Sequence, residues 1–144
     1  MQSNKQFTIR AFKIQDYNDA ISLWKSIEGL GLNESDTPEA ITFFLEQNPD
    51  FSAVALNKDG EIIGTILCGH NGRAGSIYHL AVASSFRRLG IANQLVEYAF
   101  SKLAAVNIPR CNIFVYSEND TGNKYWRDNG WDDPTTWKVM QKFV

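Results

Sequence analysis

Leu80-Ala-Val-Ala-Ser-Ser-Phe-Arg-Arg-Leu-Gly-Ile-Ala-Asn-Gln-Leu-Val-Glu-Tyr-Ala-Phe100 is the stretch whose reading decides the fold. Its first residues complete an apolar, strand-like run from Ile77 to Val82, and its last ones carry apolar side chains at helical spacing. Two serines and two arginines lie between. The helix opens with Gly90 and Ala92, where a surface helix ordinarily holds longer side chains. Gly inside a helix costs ~1 kcal/mol relative to Ala, so the position has a purpose. The first turn of a helix has N–H groups without intrahelical partners and a partial positive charge, and it binds phosphate when nothing bulky blocks the approach. With Arg87 and Arg88 alongside, the turn reads as a cradle for a diphosphate. The same glycine would also serve close packing of the helix on the strand.

The composition narrows the class of protein. A chain of 144 residues with 44% apolar and 21% charged residues is expected to form one soluble domain over its whole length, 1–144. Fourteen basic against sixteen acidic residues give a net charge of −2 and no basic run. A nucleic-acid surface needs clustered Lys and Arg, so neither a nucleic-acid partner nor an RNA-directed activity is expected. The N-terminus, Met1-Gln-Ser-Asn-Lys-Gln6, has no apolar signal stretch, and no apolar run approaches the ~20 residues of a membrane helix. A cytoplasmic chain with no membrane partner is the expectation, and the sequence leaves a homodimer open. Cys68 and Cys111 sit in apolar runs without C-x-x-C spacing and read as buried thiols, not as a disulfide or a metal site.

Outward from the quoted stretch, the elements follow from periodicity and punctuation. Phe7 to Ile14 reads as a strand, and Asp16 with Asp19 resembles a capping box for a helix with Tyr17, Ala20, Ile21, Trp24 and Ile27 on one face. Thr37-Pro38 opens a second helix that Asn48-Pro49 ends. Phe51 to Leu56, a turn at Asn57 to Gly60, and Glu61 to Cys68 make a hairpin. Gly69 to Gly75 is a further turn into the strand Ser76 to Val82. The long helix spans Leu89 to Ala105, with Ile91, Leu95, Ala99 and Leu103 as its stripe. Arg110 to Ser117 is a strand, Asn119 to Asn129 a short helix stopped by Gly130, and Trp137 to Phe143 a last strand. The order β-α-α-β-β-β-α-β-α-β implies an α/β fold of α+β type: a mixed sheet, antiparallel early and parallel across the long helix, with helices on both faces.

This order, with these residues, resembles the GCN5-related N-acetyltransferases, the GNAT superfamily, and small bacterial acetyltransferases within it. Gly64-Thr65-Ile66-Leu67, Gly75-Ser76-Ile77-Tyr78 and Leu80-Ala81-Val82 match the strands before the cradle, and Arg87, Gly90 and Ala92 match the central motif. The resemblance implies that the turn from Arg87 through Arg88, Leu89, Gly90, Ile91 and Ala92 to Asn93 holds the diphosphate of acetyl-CoA. It implies that the backbone of Leu80, Ala81 and Val82 pairs with the pantetheine arm. Asn119 and Gly130-Trp131 fit the C-terminal motif, which assigns Asn119 to the cofactor's amide arm. The family's usual Tyr, proposed to protonate the departing thiolate, is replaced by Trp126, with Tyr125 one residue earlier. An indole N–H is no proton donor near neutral pH, so Trp126 reads as a wall beside the cofactor and Tyr125 as the candidate acid.

An acceptor amine attacks only when neutral. Deprotonation at pH 7 costs a Lys side chain ~4.6 kcal/mol and an α-amine ~1 kcal/mol. Where some family members place a Glu, this chain has Ser76 and Phe114, which leaves Tyr78 and His79 as candidates for the proton. Strand alternation predicts that those two face opposite sides. The implied function is acetyl-CoA-dependent N-acetylation of a primary amine, small molecule or peptide, by direct attack in a ternary complex. The alternative is a non-catalytic acyl-CoA-binding module. Acceptor choice is expected from the segment Ile27 to Pro38, where Glu28, Glu34 and Asp36 attract a cation or are merely solvated, and from Gly69 to Gly75.

Overall fold

Short turns can only join antiparallel neighbours, and a long helix can return the chain for a parallel one; both rules are obeyed here. The computed structural model describes residues 6–144 and divides into one unit that runs to Phe114 and a second, Val115–Val144. In the first unit β1 (Thr8–Ala11), β2 (Ala53–Leu56), β3 (Ile62–His70), β4 (Gly75–Val82) and β5 (Cys111–Ile113) form one sheet in sequence order. The pairs are antiparallel up to β4, and β4 and β5 are parallel, joined through α3 (Ile91–Ala105). The β2–β3 turn is held by the Asn57 side chain, whose Oδ1 accepts from the N–H groups of Asp59 and Glu61.

Two helices precede β2. α1 (Tyr17–Ser26) buries Tyr17, Ala20, Leu23 and Trp24, and α2 (Pro38–Gln47) starts where Thr37 Oγ1 accepts from Ala40 N at 3.1 Å. The expected cap of α1 differs in detail. Asp16 precedes the helix, but its carboxylate turns back to the Arg10 guanidinium at 2.7 and 2.9 Å and to the Lys13 N–H. An ion pair with a fork-shaped donor outcompetes a neutral cap.

Adjacent strand residues identify the two layers. Thr65 meets Trp24 of α1, whereas a side chain on Gly64 would stand 3.1 Å from Ile91 of α3. Successive strand residues face opposite sides, so α1 and α3 cover opposite faces of the sheet. On the α1 face Phe12, Trp24, Ile41, Val54, Leu67 and Ala81 form a buried cluster. On the other face the predicted stripe Ile91, Leu95, Ala99 and Leu103 is buried. α3 lies so close to the start of β4 that a Cβ on Gly75 would be 2.7 Å from Leu103 Cδ1.

In the second unit α4 (Asp120–Asp128) is capped by Asn119, whose Oδ1 accepts from Gly122 N at 2.9 Å. The strand expected over Arg110 to Ser117 is confined to β5, and the strand expected over Trp137 to Phe143 does not form. Alternating apolar residues become a strand only where an edge is available to pair with. Among the described residues that segment has no ladder partner, and Trp137, Met140 and Phe143 are exposed.

Candidate active site

Parallel pairing stops early at one edge. β5 pairs with β4 over Gly75, Ser76 and Ile77, and the rest of β4, Tyr78 to Val82, has no partner on that side among the described residues. Unpaired strand backbone presents N–H and C=O groups to whatever lies alongside. The Leu80, Ala81 and Val82 expected to meet a pantetheine arm lie on this open edge.

A bulge marks where the pairing stops. On the β3 side Thr65 faces Ala81 and Leu67 faces Tyr78, so Ile66 alone stands opposite both His79 and Leu80. The extra residue bends the strand, and His79 takes a φ of 48°, a left-handed conformation that non-glycine residues rarely adopt. The bulge corrects the expected alternation. Tyr78 meets Phe44 of α2, and His79 meets Trp24 of α1 at 4.6 Å between ring centres, so both turn toward the first two helices.

Buried hydrogen bonds hold that bulge. The Trp24 indole N–H donates to Thr65 Oγ1 at 2.8 Å, and the Thr65 hydroxyl donates to the His79 carbonyl at 2.8 Å. On the side-chain side, His79 Nε2 lies 2.7 Å from Asp36 Oδ1, with both side chains largely shielded from solvent. Asp36 is held in turn: its Oδ2 accepts from Asn33 N, and its carbonyl accepts from the buried Tyr17 hydroxyl. Asp36 is therefore not a solvated loop charge. It ties the segment before α2 to the catalytic-candidate histidine. No local signal links residues so far apart in sequence; a buried Asp–His pair is legible only in three dimensions.

At the end of β4 a single turn, Ser84–Phe86, leads to the arginines. Arg87 donates through Nε to the Val82 carbonyl at 3.3 Å, and Arg88 adopts a φ of 66°. Gly90 is the residue before α3, not part of its first turn, with φ 82° and ψ 9°. Among the described residues no side chain caps this helix, and a Cβ on Gly90 would meet no atom within 4 Å. Packing against the strand is thereby excluded as the reason for the glycine. What remains is a left-handed backbone and open space in front of a helix N-terminus, which suits a diphosphate. Ile91 is buried, Ala92 half-buried and Asn93 exposed along that first turn.

The second unit holds the remaining candidates. Asn119 spends its side-chain oxygen on the cap of α4. Trp126 is T-shaped to Tyr125 at 5.0 Å and to Trp131 at 4.9 Å, and Gly130, at φ 88°, lets Trp131 N reach back to the Trp126 carbonyl. Burial pushes the Tyr125 hydroxyl above its ordinary pKa, so it stays protonated at neutral pH. No helix among the described residues is long and apolar enough to cross a membrane.

Comparison with known proteins gives a consistent picture. Residues 17–131 match the model of the Acetyltransferase (GNAT) family. Acetyltransferase plu1384 of Photorhabdus laumondii is 38% identical over 113 residues, 78% of this chain and 77% of that protein. Among solved structures, the NatC complex bound to Gag peptide and CoA matches with a TM-score of 0.68 and 27% identity, over 87% of this chain and 84% of that one. Diaminobutyrate acetyltransferase EctA from Paenibacillus lautus, in complex with L-2,4-diaminobutyric acid and coenzyme A, matches with a TM-score of 0.71 and 21% identity, over 85% and 74% of the two chains.

Proposed function

Because this chain belongs to the GNAT family of acetyltransferases, we propose that it is an N-acetyltransferase using acetyl-CoA and a primary amine in one ternary complex. The observation that carries the reading is the open β4 edge leading to a helix N-terminus that, among the described residues, no side chain caps and where a Cβ on Gly90 would meet open space. The two similar proteins solved with CoA, the NatC complex and EctA, favour the same donor.

Each part of the chain has a task in this scheme. The backbone of Leu80 to Val82 aligns the pantetheine arm as an added strand would. The N–H groups from Arg88 to Asn93 receive the diphosphate, and the two arginines add positive charge. Acetyl-CoA, when bound, supplies the activated thioester. The protein supplies position, which in a well-aligned pair is the larger share of the work.

His79 is the favoured proton acceptor. Asp36 at Nε2 selects the tautomer with the proton on that nitrogen, which leaves Nδ1 as the basic atom. An α-amine needs only ~1 kcal/mol to become neutral at pH 7, and a Lys side chain ~4.6 kcal/mol. A base of moderate strength therefore suits an α-amine or another weakly basic amine. The leaving thiolate needs little help. A thiol pKa near 8.5 makes its unassisted departure ~2 kcal/mol uphill at pH 7. This suits a chain with Trp126 where the family has Tyr, and it leaves Tyr125 an auxiliary acid.

CoA release measured with acetyl-CoA and a panel of primary amines tests the reading. Release that depends on the amine, and falls in a His79→Gln variant with a changed pH profile, is the expected result. Acetyl-CoA binding without release for any amine would leave the chain a non-catalytic acyl-CoA-binding module.

A further inference from the structure

Three aromatic rings, one from α2, one from β4 and one just after β5, gather beside the open edge of β4. Tyr78 stands edge-on to Phe44 of α2, with ring centres 6.0 Å apart and planes at 86°. Tyr78 also lies nearly parallel to Phe114, just after β5, at 6.0 Å and 12°. These rings are not a sealed core: Tyr78 is 39% and Phe114 56% exposed. Tyr78 is also the residue at which β5 stops pairing and the bulge begins. A group resting on the rings therefore sits next to the strand edge assigned to the donor.

The segment that leads into the helix carrying Phe44 holds charge of one sign in its sequence. The segment from Ile27 to Glu39, which leads into α2, contains Glu28, Glu34, Asp36 and Glu39 and no Lys, Arg or His. Asp36 reaches His79, the neighbour of Tyr78. Carboxylates beside aromatic faces favour an ammonium group attached to an apolar body, since ring faces attract cations and bury hydrocarbon together.

We propose that Phe44, Tyr78 and Phe114 form the acceptor subsite, and that the acceptor is a primary amine carrying an aromatic or bulky aliphatic group a few bonds from its nitrogen. The inference rests on the acetyl-transfer reading and adds the substrate class. A free arylalkylamine and the N-terminal residue of a peptide share this chemistry.

The experiment has three steps on the full chain. Acetyl-CoA binding is first measured by calorimetry. kcat/KM is then compared for phenethylamine against ethylamine, and for peptides starting with Phe or Leu against one starting with Gly. The pair with the larger preference identifies the source. The expected preference for the apolar member is about tenfold or more. Finally, Phe114→Ala and the milder Phe44→Leu are expected to shrink that preference about fivefold, chiefly through KM, with the acetyl-CoA dissociation constant unchanged. Phe100→Ala, which removes an exposed aromatic ring from α3, keeps it. Bound acetyl-CoA with no preference, or a preference that survives both variants, overturns the subsite alone. No acetyl-CoA binding overturns the reading beneath it as well.

Discussion

Replacing Gly90 by alanine separates the two reasons for a glycine there. The residue sits at φ 82° and ψ 9°, and an added methyl would meet no atom of the described residues within 4 Å. The folded protein thus bears only the backbone strain of an L-residue in the left-handed region, ~1–2 kcal/mol. For a chain of this size that lowers Tm by roughly 3–6 °C and leaves the fold intact. Ligand affinity is a separate quantity. If the turn cradles a diphosphate, the methyl stands where phosphate oxygens approach and disrupts at least one charge-assisted hydrogen bond, ~1.5–3 kcal/mol. That corresponds to a rise of about 10–150-fold in the acetyl-CoA dissociation constant. Gly60→Ala is the matched control: φ there is 79° with nothing of the described residues within 4 Å, in the turn before β3. Calorimetry and thermal melts on both variants should give similar losses of Tm and an affinity loss at Gly90 alone. Equal acetyl-CoA affinity in wild type, Gly60→Ala and Gly90→Ala would refute the reasoning.

Thr65→Val keeps the shape of a fully buried side chain but removes the partner of both the Trp24 indole and the His79 carbonyl. A loss of ~1–3 kcal/mol in urea unfolding is expected, with a fall in CoA release as the bulge loosens; an unchanged midpoint would remove the network from the account. The carboxylate of Asp16 works against burial but is held below its ordinary pKa by Arg10 and the Lys13 N–H. The folded state then binds that proton less tightly than the unfolded state, so the contribution is full above pH ~4 and is lost as pH falls through the lowered value. Asp16→Asn should flatten that acid limb of stability against pH, and an identical limb in both proteins would contradict the pairing. Burial raises the Cys68 thiol to about 12, so at pH 8 alkylation of Cys68 should be at least about a thousandfold slower in the folded protein than in urea. Fast modification of the folded chain would show that the strand opens.

Local patterns carried much of this fold into the sequence. The stripe Ile91, Leu95, Ala99 and Leu103, the Thr37-Pro38 helix start and the turn at Asn57 are each set by residues within a few positions of one another, and each formed as read. The open turn at the start of α3 was legible for the same reason, although Gly90 turned out to precede the helix instead of entering it. Features that depend on distant partners were not legible. The bulge at His79 and Leu80 reverses the period-2 expectation for Tyr78, and its cause is a buried threonine on the neighbouring strand and a tryptophan on α1. Asp36 reads as one acidic residue among several in its loop until His79 is brought to it. Trp137 to Phe143 has strand composition, but composition provides no edge to pair with.

Backbone amide shifts of nitrogen-labelled protein, followed during an acetyl-CoA titration, test the central claim most directly. The account predicts that the largest saturable changes fall on the N–H groups of Leu80 to Val82 and of Arg88 to Asn93, with the Gly60 turn unmoved. Saturable changes elsewhere, with those N–H groups unaffected, would contradict it.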